Sequence, residues 1–372
     1  MSFEHLIYFI FCFSFSLILG YQFYFFLRFL YKSKTKYASI VPESISIVVC
    51  IKNEEANLAN LLDDIQKQDF KSFELILVDD NSSDSSRLIM ERYADLDSRI
   101  RIVSVPYSDH FYGSKKYALT LGIKACLNDI ILFTDGDCRI PSSQWIQTMI
   151  RPYSDSSIQI VLGYGGYSKG KGIVNALTRF ETLKTVLLYM SFTEFHLPYM
   201  GVGRNLSYRK SLWEKTKGFS SHMDIASGDD DLFISEAANR ENCAINTDVN
   251  SFTYSLAKTD IKQWIQQKRR HITTAKRYKP AAKYLLGLLY VSELLFLVNL
   301  PLLLFVNISN PNVFILTALG INIILSILIF IKSKSIFRED FNLLYLPFLK
   351  LGLVSMQMII FIKNSITQTN RW

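Results

Sequence analysis

The sequence predicts an α/β domain built on a parallel sheet and joined to about four membrane-spanning helices. Between residues 44 and 258, short apolar runs alternate with segments of helical periodicity, as they do in βαβ units. Apolar segments long enough to cross a bilayer lie on both sides of this region. Acidic clusters directly follow several apolar runs, at the sheet edge where α/β domains bind their ligands.

The composition agrees with this division of the chain. The 372 residues are 49% hydrophobic and 20% charged, so the chain is too polar to span a membrane throughout. The net charge is +8, and basic residues stand beside the apolar segments, which favours a membrane surface or phosphate-bearing substrates. The sequence carries no zinc-finger, helix-turn-helix or RNA-recognition signature, so we expect no nucleic-acid partner. The five cysteines form no Cys-x-x-Cys pair and indicate a reducing, cytosolic compartment.

The membrane-spanning segments are predicted from length and hydropathy. Residues 1–31 form the first span, and residues 284–372 hold three more, at about 284–306, 313–331 and 341–362. Basic residues such as Arg28, Lys32 and Lys332 stand near one end of these spans, which places that end in the cytoplasm. We therefore expect an integral protein of the inner or plasma membrane whose catalytic domain is cytoplasmic.

Local patterns predict the remaining elements in order. Residues 32–43 form a linker, residues 44–258 the α/β domain and residues 259–283 an amphipathic interfacial helix. The predicted strands are residues 45–51, 73–78, 100–105 and 130–134, followed by a strand-like segment at 244–254. The predicted helices are residues 58–65, 85–93, 115–126, 173–189 and 232–238.

Two acidic clusters end strands of the predicted sheet. Asp79 and Asp80 follow the second strand, and their carboxylates can accept hydrogen bonds from a base or a ribose. Asp135 and Asp137 follow the run 130–134, where they can hold Mg²⁺ or Mn²⁺ against a diphosphate. Lys115 can add positive charge to the same pocket. Asp-Gly-Asp is also ordinary turn chemistry, and a lysine is also ordinary at a solvated helix start, so both alternatives stay open.

A third acidic cluster consists of Asp229, Asp230 and Asp231, at the start of a predicted helix. Helix capping explains some of this charge. Repulsion among three neighbouring carboxylates raises at least one pKa, and a carboxylate with a raised pKa can serve as a general base. Such a base would take a proton from an attacking hydroxyl opposite a leaving diphosphate, and in-line attack would invert the anomeric carbon.

The basic helix near residue 270 forms a fourth cluster. Gln267 and Arg270 are three residues apart and share a helix face. Together with Lys268 and Arg269, Arg270 can bind a pyrophosphate. The alternative is a juxtamembrane helix that lies on anionic lipid, and the two roles are compatible because the helix has two faces.

Several short motifs resemble those of the inverting family-2 glycosyltransferases with a GT-A fold, and they occur in the same order along the chain. The members of that family concerned are the membrane-attached relatives of cellulose, chitin and hyaluronan synthases. Residues 48–55 resemble the opening strand and Asn-Glu turn of that family, and residues 78–84 resemble its Val-Asp-Asp-x-Ser-x-Asp motif. Residues 114–119 are similar to Gly-Lys-x-x-Ala-Leu, with serine in place of glycine. Residues 134–138 are similar to its Asp-x-Asp motif, and residues 203–205 to its Gly-x-Asn loop. Residues 228–232 stand in the place of Glu-Asp-x-x-Leu, and residues 267–271 in that of Gln-x-x-Arg-Trp.

The resemblance implies a fold, a reaction and a set of site residues. The fold is GT-A, a Rossmann-like mixed sheet, and the reaction moves a sugar from a nucleotide-sugar donor, most simply a UDP-sugar, to a lipid or glycan acceptor. The implied site residues fall into four groups. The nucleotide-binding residues are Lys52, Glu54, Asp79, Asp80, Lys115 and Asp135, and the metal ligands are Asp137 and Asp135. The catalytic residue is Asp229, with Asp230 in reserve. The residues that contact the acceptor or the diphosphate are Gly203, Asn205, Gln267, Arg270 and His271.

Three other functions are compatible with parts of the sequence. A processive polysaccharide synthase is the alternative within the same class, but His271 replaces the tryptophan that such synthases place against the acceptor sugar. A membrane scaffold that binds nucleotide without turnover is the alternative outside it, and the intact acidic clusters argue against it. A sugar-nucleotide pyrophosphorylase would have a glycine-rich basic loop after the first strand, and residues 52–55 are not such a loop.

Overall fold

The computed structural model describes residues 3–32, 37–38, 42–106, 115–225, 227–306 and 312–366. The strands are β1 Ile45–Ile51, β2 Phe73–Asp79, β3 Ile100–Ser104, β4 Ile130–Asp135, β5 Cys138–Arg139, β6 Ile160–Leu162, β7 Gly165–Tyr167, β8 Leu206–Arg209, β9 Cys243–Ile245 and β10 Thr253–Ser255. The helices of the α/β domain are α3 Leu58–Gln66, α4 Ser86–Leu96, α5 Lys115–Ala125, α6 Trp145–Ile150, α7 Ile173–Glu194, α8 Lys210–Lys215 and α9 Asp231–Ala237. The remaining helices are α1 Phe3–Gly20, α2 Arg28–Tyr31, α10 Ile261–Thr274, α11 Pro280–Val306, α12 Val313–Ile336 and α13 Leu346–Ile366.

The main sheet is mixed, and its strand order is β3-β2-β1-β4-β8-β6-β9. Strands β3, β2, β1 and β4 are parallel, whereas β8 pairs antiparallel with both β4 and β6. In the register, Ile51 lies opposite Asp79 and Cys50 lies opposite Asp135. The acidic residues that end β2 and β4 therefore lie on either side of the end of β1, along one edge of the sheet.

The parallel strands are apolar because helices or loops cover both of their faces. Every residue of β1 except Cys50 is buried, and two separate hydrophobic clusters pack on the opposite faces of the sheet. Helix α5 approaches the sheet so closely that a Cβ at Gly122 would lie 2.6 Å from a side-chain carbon of Val78. This glycine lets α5 lie directly over β1 and β2, which fixes where its first residue, Lys115, stands.

A second sheet of three short strands, in the order β5-β10-β7, supports the segment after β4. Cys138 lies opposite Ser255 in its register, so Asp137 is held between the two sheets. The prediction of one strand over residues 244–254 was wrong. Strand β9 ends at Ile245, a 3₁₀ turn covers Val249–Ser251, and β10 begins at Thr253 in the other sheet.

Among the described residues, four helices are long and apolar enough to cross a membrane: His5–Tyr31, Pro280–Phe305, Val313–Ile336 and Leu343–Ile366. They agree in number and place with the predicted spans. The first contains a π-helical segment, Tyr21–Leu27, between α1 and α2. Helix α7 contacts both the α/β domain and these helices, with the rings of Phe192 and Phe25 4.6 Å apart between centroids.

Candidate active site

The loops after β1 and β2 are joined by hydrogen bonds. The side-chain oxygen of Asn53 accepts from the Ser83 backbone N–H, and the Glu54 N–H donates to the Ser86 hydroxyl. Asn53 has a positive φ of 57°, which asparagine tolerates better than most residues. The two loops therefore form one rigid rim at the carboxyl edge of the sheet.

Asp79 and Asp80, which the sequence predicts to bind the nucleotide, lie in this rim. Asp80 is buried and lies 3.3 Å from the Lys52 ammonium. Asp79 accepts a hydrogen bond of 3.0 Å from the Ser82 N–H and lies 3.7 Å from the Arg87 guanidinium. Lys52 is therefore placed beside the predicted base-binding carboxylate, and Arg87 is a neighbouring cation that the sequence analysis did not select.

Asp135 and Asp137 stand at the end of β4. Asp135 accepts a hydrogen bond of 2.8 Å from the Lys115 ammonium, and Asp137 accepts one of 3.1 Å from the Ser255 hydroxyl. Burial raises the pKa of Asp135, but the charge and hydrogen bond of Lys115, together with the electrostatic effects of Arg204 and His271, outweigh it and the net direction is downward. Burial, followed by repulsion from Asp135, raises the pKa of Asp137.

This carboxylate pair fits a divalent cation that a ligand also coordinates. Repulsion between Asp135 and Asp137 is the kind of strain that a cation relieves. Within the described ranges, no group of three or more His, Cys, Asp and Glu residues could hold a metal unaided. One or two carboxylates completed by phosphate oxygens is the usual arrangement for Mg²⁺ at a substrate phosphate. Glu54 lies beside the pair, since a Cβ at Gly136 would be 3.1 Å from its Cγ.

Lys115 joins this pair to the third acidic cluster. Its ammonium lies 2.8 Å from Asp135 and 3.2 Å from Asp229, although these two carboxylates are 94 positions apart in the chain. Burial lowers the pKa of Lys115, but Asp135 and Asp229 outweigh it and hold the pKa well above its usual range. The predicted metal-side and base-side carboxylates therefore share one cation.

Asp230 faces a different neighbour. Its carboxylate accepts a hydrogen bond of 2.8 Å from the Gly203 N–H, in the glycine loop that the sequence assigned to the acceptor side. Burial, with repulsion from Asp229 and Asp231, raises the pKa of Asp230 to about 8. Asp230 also caps helix α9 by accepting from the Asp231 N–H. Asp229 is thus tied to the donor side of the cleft and Asp230 to the acceptor side.

Asp231, for which the sequence predicted no separate role, connects α9 to the end of α10 and to the segment that follows it. Its buried carboxylate accepts hydrogen bonds from the hydroxyls of Thr274 and Tyr278, the latter at 2.6 Å. No linear signal marks these partners, since they lie more than 40 positions away. Asp231 therefore holds the basic helix against the acidic cluster rather than facing the cleft.

The glycine loop contributes differently from the prediction. The Asn205 amide is fully buried, donates to the carbonyls of Tyr164 and Ser251, and accepts from the Trp145 indole. These protein contacts occupy the amide, so the predicted contact of this side chain with an acceptor is wrong, and Asn205 has a structural role. Arg204 is the residue that the prediction missed. Its guanidinium stacks 4.2 Å from the centre of the Tyr167 ring, and Asp135 and Asp137 both help to hold its pKa above the usual range against the opposing effect of burial.

Helix α10 carries Gln267, Arg270 and His271. The His271 ring is near enough to Asp135 to help lower the pKa of that carboxyl. His271 is accessible to water, yet the cleft walls partly remove it from bulk solvent, and this effect with the charges of Lys268 and Arg204 lowers its pKa to about 3. Its imidazole is therefore neutral at physiological pH. Gln267 and Arg270 are half-buried on the same helix.

One hollow collects several of the predicted residues. It is lined by Lys115, Asp135, Gly203, Asp229 and Asp230, with Cys50, Thr134 and Tyr208 among its other walls. Its volume of about 20 Å³ suits a cation or a water, so a nucleotide would have to extend over the neighbouring sheet edge. A larger cavity of about 870 Å³ lies elsewhere and is lined by none of the predicted site residues.

Residues 46–216 match the family model described as Glycosyl transferase family 2. This part of the chain is a family-2 glycosyltransferase domain. The chain is 30% identical over 133 residues to "Glycosyltransferase GlyG" of Streptococcus pneumoniae, a match that covers 36% of this chain and 42% of that protein. It is 28% identical over 139 residues to the 4,4'-diaponeurosporenoate glycosyltransferase of Staphylococcus haemolyticus, covering 37% of this chain and 36% of that one. The chain thus spans less than half the length of these curated relatives.

The glycosyltransferase domain has the GT-A fold. The solved structure of a mannosyltransferase, PcManGT from Pyrobaculum calidifontis in complex with GDP-Man and Mn²⁺, superimposes with a TM-score of 0.64 at 16% identity. The superposition covers 97% of this chain and 98% of that one, so the similarity extends to the apolar helices. At this identity it establishes the fold alone. The predictions of a family-2 domain, a GT-A fold and about four apolar helices are confirmed.

Proposed function

We propose that this protein is a membrane-bound inverting glycosyltransferase that moves a sugar from a nucleotide donor, most simply a UDP-sugar, to a lipid or glycan acceptor. The observation that carries the proposal is the position of Lys115 between Asp135 and Asp229. It means that the carboxylates suited to a metal–diphosphate and those suited to a base lie at one cleft. Four apolar helices support the attachment to a membrane, and we place the catalytic domain on its cytoplasmic side.

The donor would lie along the edge formed by β2, β1 and β4. Asp80 with Lys52, and Asp79, would bind the nucleoside, and Glu54 would border the diphosphate. Asp137 and Asp135 would hold Mg²⁺ or Mn²⁺, which supplies charge neutralisation for the departing nucleoside diphosphate. Arg204, Arg270 and Gln267 lie on the elements best placed to add donors to the diphosphate or to the acceptor.

Proton removal is assigned to the Asp229–Asp230 pair. The alignment of residues 228–232 with Glu-Asp-x-x-Leu puts Asp229 first, but the contacts favour Asp230. Asp229 is paired with Lys115 on the donor side, so its carboxylate is already engaged by a cation. Asp230 contacts the Gly203 loop, and its raised pKa of about 8 is well matched to a general base near neutral pH. It would take the proton of the acceptor hydroxyl as that oxygen attacks the anomeric carbon from the side opposite the diphosphate.

Membranes that contain the full chain can test the proposal with a panel of nucleotide sugars, with and without Mn²⁺. We expect sugar transfer or slow donor hydrolysis that needs the metal, and a loss of at least about 100-fold in the Asp137→Ala and Asp230→Asn variants. A matched control is Asp224→Asn, whose exposed carboxylate pairs with Arg277 outside the cleft. If the Asp137 and Asp230 variants turned over as fast as this control, the proposal would fail. Nucleotide binding without transfer to any acceptor would favour the scaffold instead.

A further inference from the structure

A second cavity lies among the apolar helices. It has a volume of about 150 Å³ and is lined by α7, by the four membrane-spanning helices and by the π-helical segment of the first of them. Its walls are mostly apolar, and none of its lining residues lines the catalytic hollow. Six polar side chains also line it: Gln22, Lys184, Glu293, Asn322, Ser326 and Lys350.

Apart from Lys184, which is on α7, these polar groups lie well inside the segments that would cross the bilayer. Gln22 is nine residues from the helix end at Tyr31, and Ser326 is ten residues from the end at Ile336. At 1.5 Å per residue, both lie roughly 14 Å from those ends along their helices. Polar and charged side chains are costly at such depth and are usually kept there for a function.

The charges of the cavity do not cancel. Lys184 pairs with Glu293, and Lys350 donates a hydrogen bond to the neutral hydroxyl of Ser326. Among the described residues that line the cavity, two lysines and one glutamate carry charge, which leaves an excess of one positive charge. In an environment of low dielectric, a bound anion would stabilise Lys350.

The amide of Gln22 also lacks part of its hydrogen bonding. Gln22 is only 5% exposed, and its amide nitrogen donates to Ser326 at 3.2 Å. Its amide oxygen has no hydrogen-bond partner among the described residues. An unsatisfied buried carbonyl is unfavourable, so a donor from a ligand would stabilise it. The π-helical segment begins one residue earlier, at Tyr21, and such segments often accompany functional sites.

We propose that this cavity binds an anionic lipid whose head group also carries a hydroxyl, at a site separate from the catalytic cleft. The anionic group lies against Lys350, the hydroxyl donates to the Gln22 oxygen, and the hydrocarbon chain occupies the apolar walls between the helices. A bulk phospholipid and an isoprenoid phosphate share this chemistry, and the experiment distinguishes them.

Native mass spectrometry of the purified full chain in mild detergent measures the site directly. The probes are phosphatidylglycerol, phosphatidylmethanol, which lacks the head-group hydroxyls, phosphatidylcholine, which has no net charge, and a polyprenyl phosphate. We expect one anionic lipid to bind at least tenfold more tightly than phosphatidylcholine. Tighter binding of phosphatidylglycerol would identify a bulk lipid, and tighter binding of the polyprenyl phosphate an isoprenoid. Equal binding of phosphatidylcholine and the anionic probes would overturn the proposal.

Two variants and one control locate the site. Lys350→Met is expected to lose the tenfold preference for anionic lipid, and Gln22→Leu the preference for phosphatidylglycerol over phosphatidylmethanol. Lys363→Met removes an exposed lysine from the same helix and should leave both preferences unchanged. In lipid-free detergent, Lys350→Met should melt no lower than the parent, since it removes a half-buried charge whose hydrogen-bond partner is a neutral hydroxyl. A lower melting temperature, or unchanged lipid preference in Lys350→Met, would show that Lys350 is structural and would overturn the site.

Discussion

The ammonium of Lys115 lies 3.2 Å from Asp229, and the same nitrogen lies 2.8 Å from Asp135. Helix α5 places this lysine because Gly122 lets the helix lie directly on β1 and β2. One side chain thereby sets the spacing between the carboxylates at the end of β4 and those that open α9. Without this cation, three or more negative groups would share one cleft at a cost in repulsion.

Replacement of Lys115 by Met should therefore impair catalysis more than donor binding. We expect kcat to fall by about 100-fold or more, because a preorganised charge is lost at the site where negative charge develops. Lys115→Arg should recover part of the rate. Steady-state kinetics would separate the effects, and an unchanged kcat with a raised KM alone would contradict the role given to Lys115.

Lys116, the next residue, is expected to position the acidic cluster without touching substrate. Its side chain is fully buried, and its ammonium donates to the backbone carbonyls of His222, Ile225 and Ser227, just before Asp229. Lys116→Met leaves these carbonyls unsatisfied and should lower the free energy of unfolding by about 3 kcal/mol.

Thermal unfolding of the purified chain measures this loss, with Lys124→Met as the control because Lys124 is an exposed lysine on the same helix. Equal melting temperatures for the two variants would contradict the positioning role. The Lys116 variant should also have a lowered kcat, whereas its KM for the donor should change little. The reason is that the loop held by the Lys116 side chain leads directly to Asp229 and Asp230.

The transfer rate should rise with pH. A general base acts only when it is deprotonated, and burial together with Asp229 and Asp231 raises the pKa of Asp230 to about 8. At saturating substrate, kcat should increase about tenfold per pH unit below this pKa and level off above it. The residual activity of Asp230→Asn should lack this rise. A wild-type profile that is flat between pH 6 and pH 9 would exclude Asp230 as the base.

Tyr278 should couple the basic helix to the acidic cluster. Its hydroxyl donates to Asp231 at 2.6 Å, so Tyr278→Phe leaves that buried carboxylate with one partner fewer. We expect a loss of stability of about 1–3 kcal/mol and a raised KM for the acceptor. Tyr345→Phe is the control, since Tyr345 is 60% exposed. If the two variants had equal stability and equal acceptor KM, α10 would not depend on this contact.

The product should carry a single added sugar. The neutral imidazole of His271 lies near Asp135 and occupies the place of the tryptophan in the Gln-x-x-Arg-Trp motif. Sizing of the product from excess donor would show one discrete species. A ladder that lengthens with time would instead establish a processive synthase.

Sequence periodicity predicted most of the domain because its parallel strands are buried on both faces and its helices alternate with them. Strand β1 was predicted at its observed bounds, Ile45–Ile51. The register of a parallel sheet then brings residues that follow adjacent strands to one edge, and for this reason Asp80 and Asp135 could be grouped correctly. The strands of the second sheet are only two or three residues long, too short to show a period.

Side-chain contacts between residues that are far apart in the sequence could not be predicted from it. Asn205 was predicted to meet the acceptor because a motif does not reveal burial, and its amide is instead bonded within the core. Its neighbour Arg204 was not among the predicted site residues, although it lies near the carboxylates of Asp135 and Asp137. Asp231 was grouped with the other acids by adjacency, but a helical turn directs its side chain to Tyr278. Such outcomes depend on side-chain direction, which composition and spacing do not encode.

The central claim is that one cleft binds the donor through Asp137 and performs transfer through Asp230. The most direct measurement compares equilibrium binding of UDP in the presence of Mn²⁺ with sugar transfer, for the purified wild type and for the Asp137→Asn and Asp230→Asn variants. The account predicts that Asp137→Asn loses both binding and transfer, and that Asp230→Asn binds with an unchanged Kd but transfers at least about 100-fold more slowly. Transfer by Asp230→Asn at the wild-type rate, or metal-dependent binding that survives in Asp137→Asn, would contradict it.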